Sequence, residues 1–363
     1  MNSSPILPGD LRLLVLAPNW LGDVVMHTPL LSLLDAGREA VRAATGRELH
    51  LTLGVRNAWA GLFASDRRVD ELLLLERGGR YGGIRGLRRL AGRLKEGDFD
   101  AVLICPPSLR TALVSWLARI DTRVGYRSDG RSFFLTEGLD PQERGTLHYS
   151  REMLALGATW LRRTGVAEAT LQGFPNATSL PGCRSIRPAF EPTGKPFWVV
   201  APGSTYGEAK TWPLDRVAEF VAEARSIHGQ RIVFLGDEAA RGFTDRLKER
   251  LDLAWGDDPG ADSDLVDLTG RTDLTQAVAV LKAADAFVGN DSGLMHLAAA
   301  LGLPTVGVFG SSNPDWTAPV GPAVAAVTAS GFACRPCYLK ECNQAEFCLE
   351  TVQAATVLAA VHG

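Results

Sequence analysis

Short apolar runs alternate along the chain with stretches whose apolar residues recur at helical spacing. In the first half, LRLLVLAP (11–18) reads as a buried strand, 24–34 as a helix, LHLTLGV (49–55) as a second strand and AVLICP (101–106) as another. From residue 197 the alternation resumes. Strands are expected at FWVVAPG, RIVFLGD, AFVGND and TVGVFG, with the helix DRVAEFVAEARSIHG between the first two. Nearly continuous apolar strands separated by helices predict an α/β fold with parallel sheets. Residues 173–196 hold Pro175, Pro181, Pro188, Pro192 and Pro196 with several Gly and Ser, a composition poor in regular structure. At 363 residues the chain exceeds one ordinary core. Two doubly wound domains are therefore expected, 1–180 and 197–363, joined by a linker at 181–196 and facing a central cleft. Open α/β sheets bind ligands at the carboxyl ends of their strands, so the loops after the strands are where chemistry is sought.

Composition narrows the function. Hydrophobic residues make up 46% and charged residues 22%, the range of a globular domain. No apolar run approaches the roughly 18 residues of a membrane span. The run at 11–18 is too short for a signal peptide and begins beside Asp10 and Arg12, which predicts a cytoplasmic protein. The net charge of −3 argues against nucleic acid as a partner. Its distribution is uneven: +4 over residues 1–180 and −7 over the rest. A basic first half suits an anionic ligand or membrane surface. The densest basic stretch, RGGRYGGIRGLRRLAGRLK (77–95), reads either as a solvated helix face or as a contact for phosphorylated lipid headgroups or an anionic acceptor.

Three loops carry candidate chemistry. PNWLGDVV (18–25) follows the first strand and opens a helix, with Gly22 permitting a tight turn. Asp23 there is either a helix cap or a general base that takes a proton from an acceptor hydroxyl. APGSTYGEAKTWP (201–213) offers the amides and hydroxyls of Gly203, Ser204 and Thr205 to phosphate oxygens, with Lys210 either a solvated surface lysine or a full positive charge beside them. GNDSGLMHLAAALG (289–302) runs from a strand into a strongly helical stretch. Ser292 and Gly293 then lie at a helix N-terminus, where free N–H groups and the helix dipole favour a pyrophosphate. Asp291 would repel phosphate, and suits sugar hydroxyls better. His296, one turn on, is either a core residue or part of the same site.

Other features point elsewhere. Asp98 and Asp100 resemble a metal-binding carboxylate pair but directly precede AVLICP, which favours a strand-entry turn. No G-x-G-x-x-G follows any strand, which argues against a nicotinamide or flavin site. Cys334, Cys337, Cys342 and Cys348 form C-x2-C-x4-C-x5-C, able to encircle a structural zinc ion or iron–sulfur cluster, or to remain free or redox-labile thiols. Cys105 reads as a strand core residue, and Cys183 falls in the linker.

With these loops in place, the sequence resembles glycosyltransferase family 9, the ADP-heptose:lipopolysaccharide heptosyltransferases, with the heptosyltransferase II subtype the nearest match. The segments carrying the resemblance are PNWLGDVVMHTPLL, FDAVLICPPSLRTALVSWLARIDTRVGYR, PGSTYGEAKTWP and NDSGLMHLAAALGLPTVGVFGSSNPDWTAP, in that order. The resemblance implies a GT-B fold of two Rossmann-like domains, the first binding acceptor and the second the nucleotide-sugar donor. It implies an inverting transfer of heptose from ADP-heptose to the lipopolysaccharide inner core without a required metal. By it, Asp23 holds the catalytic base position and Lys210 that of the lysine neutralising the leaving diphosphate. Ser204 and Thr205 fall in the diphosphate loop, Asp291 at the donor heptose, and Ser292, Gly293 and His296 complete the donor motif. Asp237 and Glu238 both fit the acid that holds the nucleotide. Ser108, Arg110, Arg127 and Arg131 lie in the acceptor-side region. The expected partners are ADP-heptose and an anionic glycolipid at the inner membrane, the chain acting as a monomer. The competing readings are a sugar-nucleotide epimerase or hydrolase on the same scaffold, or a non-catalytic nucleotide-sugar binding protein.

Overall fold

The computed structural model describes residues 9–76, 81–187, 196–256 and 263–362. Among these, no helix is long and apolar enough to cross a membrane. Two compact units emerge: residues 1–143 with 149–185, and residues 144–148 with 186–363. Each is built on one six-stranded, wholly parallel sheet.

In the first unit the strands are β1 (Leu11–Leu16), β2 (Leu49–Arg56), β3 (Glu71–Leu75), β4 (Ala101–Ile104), β5 (Thr122–Tyr126) and β6 (Glu137–Leu139). Their order is β3-β2-β1-β4-β5-β6. In the second they are β7 (Phe197–Ala201), β8 (Arg231–Phe234), β9 (Leu265–Asp267), β10 (Ala286–Asn290), β11 (Thr305–Phe309) and β12 (Val324–Thr328). These run β12-β11-β10-β7-β8-β9, the same doubly wound order, read from the other edge. The central strands are buried on both faces, as their apolar runs predict: Leu13, Leu14, Val15, Val102, Leu103 and Ile104 in one sheet, Val199, Ile232, Val233 and Phe287 in the other. The strand order reverses between β1 and β4 in the first unit and between β7 and β10 in the second, so the loops after these four strands flank the two switch points.

Five strands escape sequence reading. β6 and β9 have three residues each, and β3, β6, β9 and β12 are edge strands. The fifth, β5, carries the polar Thr122 and Arg123 at its start. The helix expected over 24–34 is in fact two, Leu21–Met26 and Thr28–Ala36. Pro29 has no N–H for the carbonyl of Val25, four residues back, and its ring would crowd that carbonyl in a continuous helix. The Thr28 hydroxyl donates to that oxygen instead, at 2.7 Å. The expected linker is partly structured. Pro181–Ser185 forms a 3-10 turn in the first unit with Cys183 buried, its thiol 3.7 Å from the Leu62 carbonyl. Residues 188–195 of that linker, and Arg77 to Arg80 of the basic stretch, lie outside the described residues.

Candidate active site

In the first unit, β1 delivers the chain into the short helix Leu21–Met26, whose Val24, Val25 and Met26 are buried. That anchors the turn carrying Asp23. Trp20 holds the N-cap position and makes no side-chain cap bond, and Asp23 sits three positions further in, half-buried. An acid in the first turn complements the helix dipole. Tyr149, at the start of the helix Tyr149–Arg163, is buried nearby. Its hydroxyl is held far above the usual phenol range, first by burial and then by the negative charge of Asp23.

The residues assigned to the acceptor side separate by environment. Ser108 is the N-cap of the helix Leu109–Leu117, and its carbonyl accepts the Thr111 hydroxyl at 2.8 Å. Arg110 donates to the backbone carbonyls of Tyr81 and Gly83. Arg127 pairs with Asp140 at 2.8 Å on an exposed surface. Arg131 is wholly buried and donates to the carbonyls of Tyr126 and Pro106, and burial lowers its basicity. Its guanidinium is a structural tie between two backbone segments. Asp100 is such a tie too, pairing with Arg47 at 3.0 Å and accepting the Arg12 amide at 2.7 Å. That is the strand-entry role expected of it.

In the second unit the polar groups converge at the β7–β10 switch point. Asn290, the last residue of β10, ties down the loop after β7 at both ends. Its amide nitrogen donates to the Pro202 carbonyl at 2.5 Å, and its side-chain oxygen accepts the Trp212 amide at 2.9 Å. Between those ties, the 3-10 turn Glu208–Lys210 projects Lys210 toward Asp291. The ammonium donates to Asp291 Oδ2 at 2.5 Å and lies 4.9 Å from the centre of the Tyr206 ring. Ser312, after β11, donates to the same oxygen at 2.6 Å, and His296 Nε2 stands 3.8 Å from Oδ1. Asp291 is only 7% exposed. Burial alone would raise its pKa, but His296, Lys210 and their hydrogen bonds outweigh that and hold the carboxyl well below its ordinary value.

Ser292 is the N-cap of the helix Gly293–Ala300 and makes no cap bond. Among the described residues its buried hydroxyl has no partner, nor do His296 Nδ1, the Ser311 hydroxyl and the Tyr338 hydroxyl. Buried polar groups are ordinarily paired. Four unpaired ones in the loops around a buried ion pair and a helix N-terminus mark a place for a polar, hydroxyl-rich or anionic ligand.

Gly203 opens the loop after β7. A Cβ there would come within 2.5 Å of the Ala240 Cβ, so its lack of a side chain lets two loops touch. Thr205 donates to Asp237 at 3.1 Å, and the Tyr206 amide donates to the Ser204 hydroxyl at 3.3 Å. Glu238 pairs with Arg241 at 3.1 Å instead. Of the two acids, Asp237 is the one bonded to the loop after β7.

The four clustered cysteines are free. Cys348 is buried and its thiol is pushed up by burial, against the charge of Arg335. Among the described residues, no three His, Cys, Asp or Glu side chains stand together so as to hold a metal ion. The cysteine loop braces the lysine loop: the Ala209 amide donates to Lys340 O at 2.9 Å, the Tyr206 hydroxyl to Tyr338 O at 2.6 Å, and the Tyr338 amide to Ser311 O at 2.8 Å. Arg144 joins this wall, its guanidinium 4.9 Å from the Trp316 ring and 5.2 Å from Tyr338. Asn290, Ser311, Ser312, Tyr206, Tyr338 and Arg144 were missed by sequence reasoning. Ser311 and Ser312 had a signal, since they follow a strand as the other loops do.

Gly310 shows how tight this wall is, since a Cβ there would collide with the Ala209 carbonyl. Gly310→Ala is expected to cost about 1–3 kcal/mol, the usual price of overpacking, read from the urea midpoint. Gly242→Ala, on an open helix position, should instead be neutral or stabilise by about 0.5–1 kcal/mol. Equal effects at the two sites would refute the tight contact.

Comparison with known proteins identifies the family. The family described as glycosyltransferase family 9 (heptosyltransferase) matches residues 87–347. Lipopolysaccharide heptosyltransferase 2 of Escherichia coli K12 is 29% identical over 322 residues, covering 85% of this chain and 86% of that protein. Lipopolysaccharide heptosyltransferase 1 of Pseudomonas aeruginosa is also 29% identical, over 92% of this chain and 88% of its own length. Among solved structures, the E. coli ADP-heptose lipopolysaccharide heptosyltransferase II superposes with a TM-score of 0.73 at 23% identity, over 97% of both chains.

Proposed function

The chain belongs to glycosyltransferase family 9, and from that premise we propose that it transfers heptose from ADP-heptose to the inner core of lipopolysaccharide, with inversion and without a required metal. One observation carries the reading: the Lys210–Asp291 pair beside the unpartnered helix N-terminus at Ser292. In an inverting displacement the acceptor hydroxyl oxygen attacks the anomeric carbon as the bond to the β-phosphate oxygen breaks. ADP then leaves with the bonding electrons, and the hydroxyl proton passes to a base. Asp23 is that base in this proposal, supplied by the first unit.

The second unit supplies the leaving-group side. Lys210 has three N–H donors, and only one is needed by Asp291, leaving two for diphosphate oxygens. The helix N-terminus at Ser292 and Gly293, with Ser204 and Thr205, adds neutral donors. A cation in this position does the work a divalent metal does in other transferases. Asp291 and His296 face the sugar hydroxyls, and Asp237 is the better placed of the two acids to hold the nucleotide. A metal at the cysteine loop, if bound, would be structural. The acceptor is an anionic glycolipid, met by a monomer at the cytoplasmic face of the inner membrane. The family match and the relatives favour transfer over the epimerase, hydrolase and non-catalytic readings.

A donor screen by calorimetry tests this together with turnover in EDTA. ADP-heptose is expected to bind more tightly than UDP- or GDP-sugars, and transfer to proceed at full rate with EDTA present. Tighter binding of another nucleotide sugar would replace the donor, and a strict Mg²⁺ requirement would refute the role of Lys210.

A further inference from the structure

The helices Gly83–Glu96 and Leu109–Leu117 and the turn Ser132–Phe134 form one layer over the first unit's sheet. Their inward side chains, among them Ala91, Leu94, Ala112 and Phe134, join a single apolar core with Val102 and Ile104 of β4. The outward side of the layer is not an ordinary solvated surface. Arg85, Arg88, Arg89, Arg93 and Lys95 are all exposed along the first helix, whose one acid, Glu96, is its last residue. With them, Ile84 is 76% exposed and Phe133 80%, and Leu109, Trp116 and Leu117 also stand in the open. Trp116 and Phe133 are neighbours, both meeting Phe134 edge-on at ring-centre distances of 5.7 and 5.4 Å.

Single exposed apolar side chains need no explanation. Five on one helical layer, with five exposed cations on one of its helices, do. We infer that this layer is a docking surface for a bilayer rich in anionic phospholipid. A basic amphipathic helix lies in the plane of a membrane interface, its cations on the headgroup phosphates and its apolar side chains below them. Here the second helix and the turn widen the apolar part with a tryptophan and a phenylalanine, side chains suited to the interface. The inference deepens the proposed function, since a glycolipid acceptor is presented at such a surface. Vesicle binding itself needs no turnover.

The test is flotation of the full chain with vesicles of phosphatidylglycerol and phosphatidylethanolamine, or of phosphatidylcholine alone. Binding is expected to the anionic vesicles and to weaken with added salt. The triple variant Arg88→Glu, Arg89→Glu, Arg93→Glu should reduce partition about 100-fold or more. Ile84→Ser with Phe133→Ser should reduce it at high salt too, where charge is screened. Both variants should keep the wild-type melting curve and wild-type transfer to a lipid-free acceptor fragment. Equal partition of the wild type onto neutral and anionic vesicles, or unchanged partition of the triple variant, overturns the inference. Loss of transfer to the lipid-free fragment in the triple variant also overturns it, by making the helix an acceptor site. If the wild type binds anionic vesicles as expected but uses no ADP-heptose, the docking surface stands and the proposed function fails.

Discussion

Asp23→Ala is expected to lower kcat by about 10²–10⁴, the usual worth of a positioned general base, while ADP-heptose affinity measured by calorimetry stays near wild type. The two readouts separate because the residues assigned to the donor lie in the second unit, whereas Asp23 stands in the first turn after β1. Asp23→Asn should fall as far as the alanine variant, because an amide fills the same space but takes no proton. That equality distinguishes a proton acceptor from a residue that shapes the turn, where the near-isosteric amide would rescue. Turnover within a few-fold of wild type in Asp23→Ala would remove the base from the mechanism. A parallel loss of donor affinity would reassign the residue to binding.

The carboxyl-end loops were legible in the sequence because their cause is local. An apolar run, then Gly, Ser, Asp or Asn, then a helical pattern is visible without tertiary information, and Asp23, Lys210 and Ser292 all lie in such loops. What pairs with what was not legible. Lys210 and Asp291 are 81 residues apart, and they meet because the strand order sets β10 beside β7. The sequence poses Asp291 as a misplaced negative charge near a phosphate site, and the fold answers with a lysine and a serine hydroxyl on one of its oxygens. Arg131 shows the opposite relation of charge to surroundings. Its charge suggests a ligand contact, yet two backbone carbonyls, of Tyr126 and Pro106, take its donors inside the first unit. Composition cannot reveal which carbonyls a fold leaves in need of a donor.

Asp291→Asn is expected to damage both folding and turnover, with different dependences on pH. In the wild type the carboxylate is only 6% exposed at its side chain and Lys210 17%. Removing one member of a buried pair leaves the other uncompensated, typically at 3–5 kcal/mol. The partial exposure of Lys210 brings the expectation down to about 2–3 kcal/mol, read from denaturant midpoints at neutral pH. The carboxyl is held below its ordinary value, so its contribution is fully present above the unfolded value of about 3.9 and is lost as pH falls further. The gap between wild type and variant should therefore narrow below about pH 4. A double variant, Lys210→Met with Asp291→Asn, removes both charges and should be less destabilised than the two single changes summed. It should remain inactive all the same, because no cation then meets the charge on departing ADP. Additive losses in that cycle, or a stability gap that ignores pH down to 3, would show that the two side chains do not act as a pair.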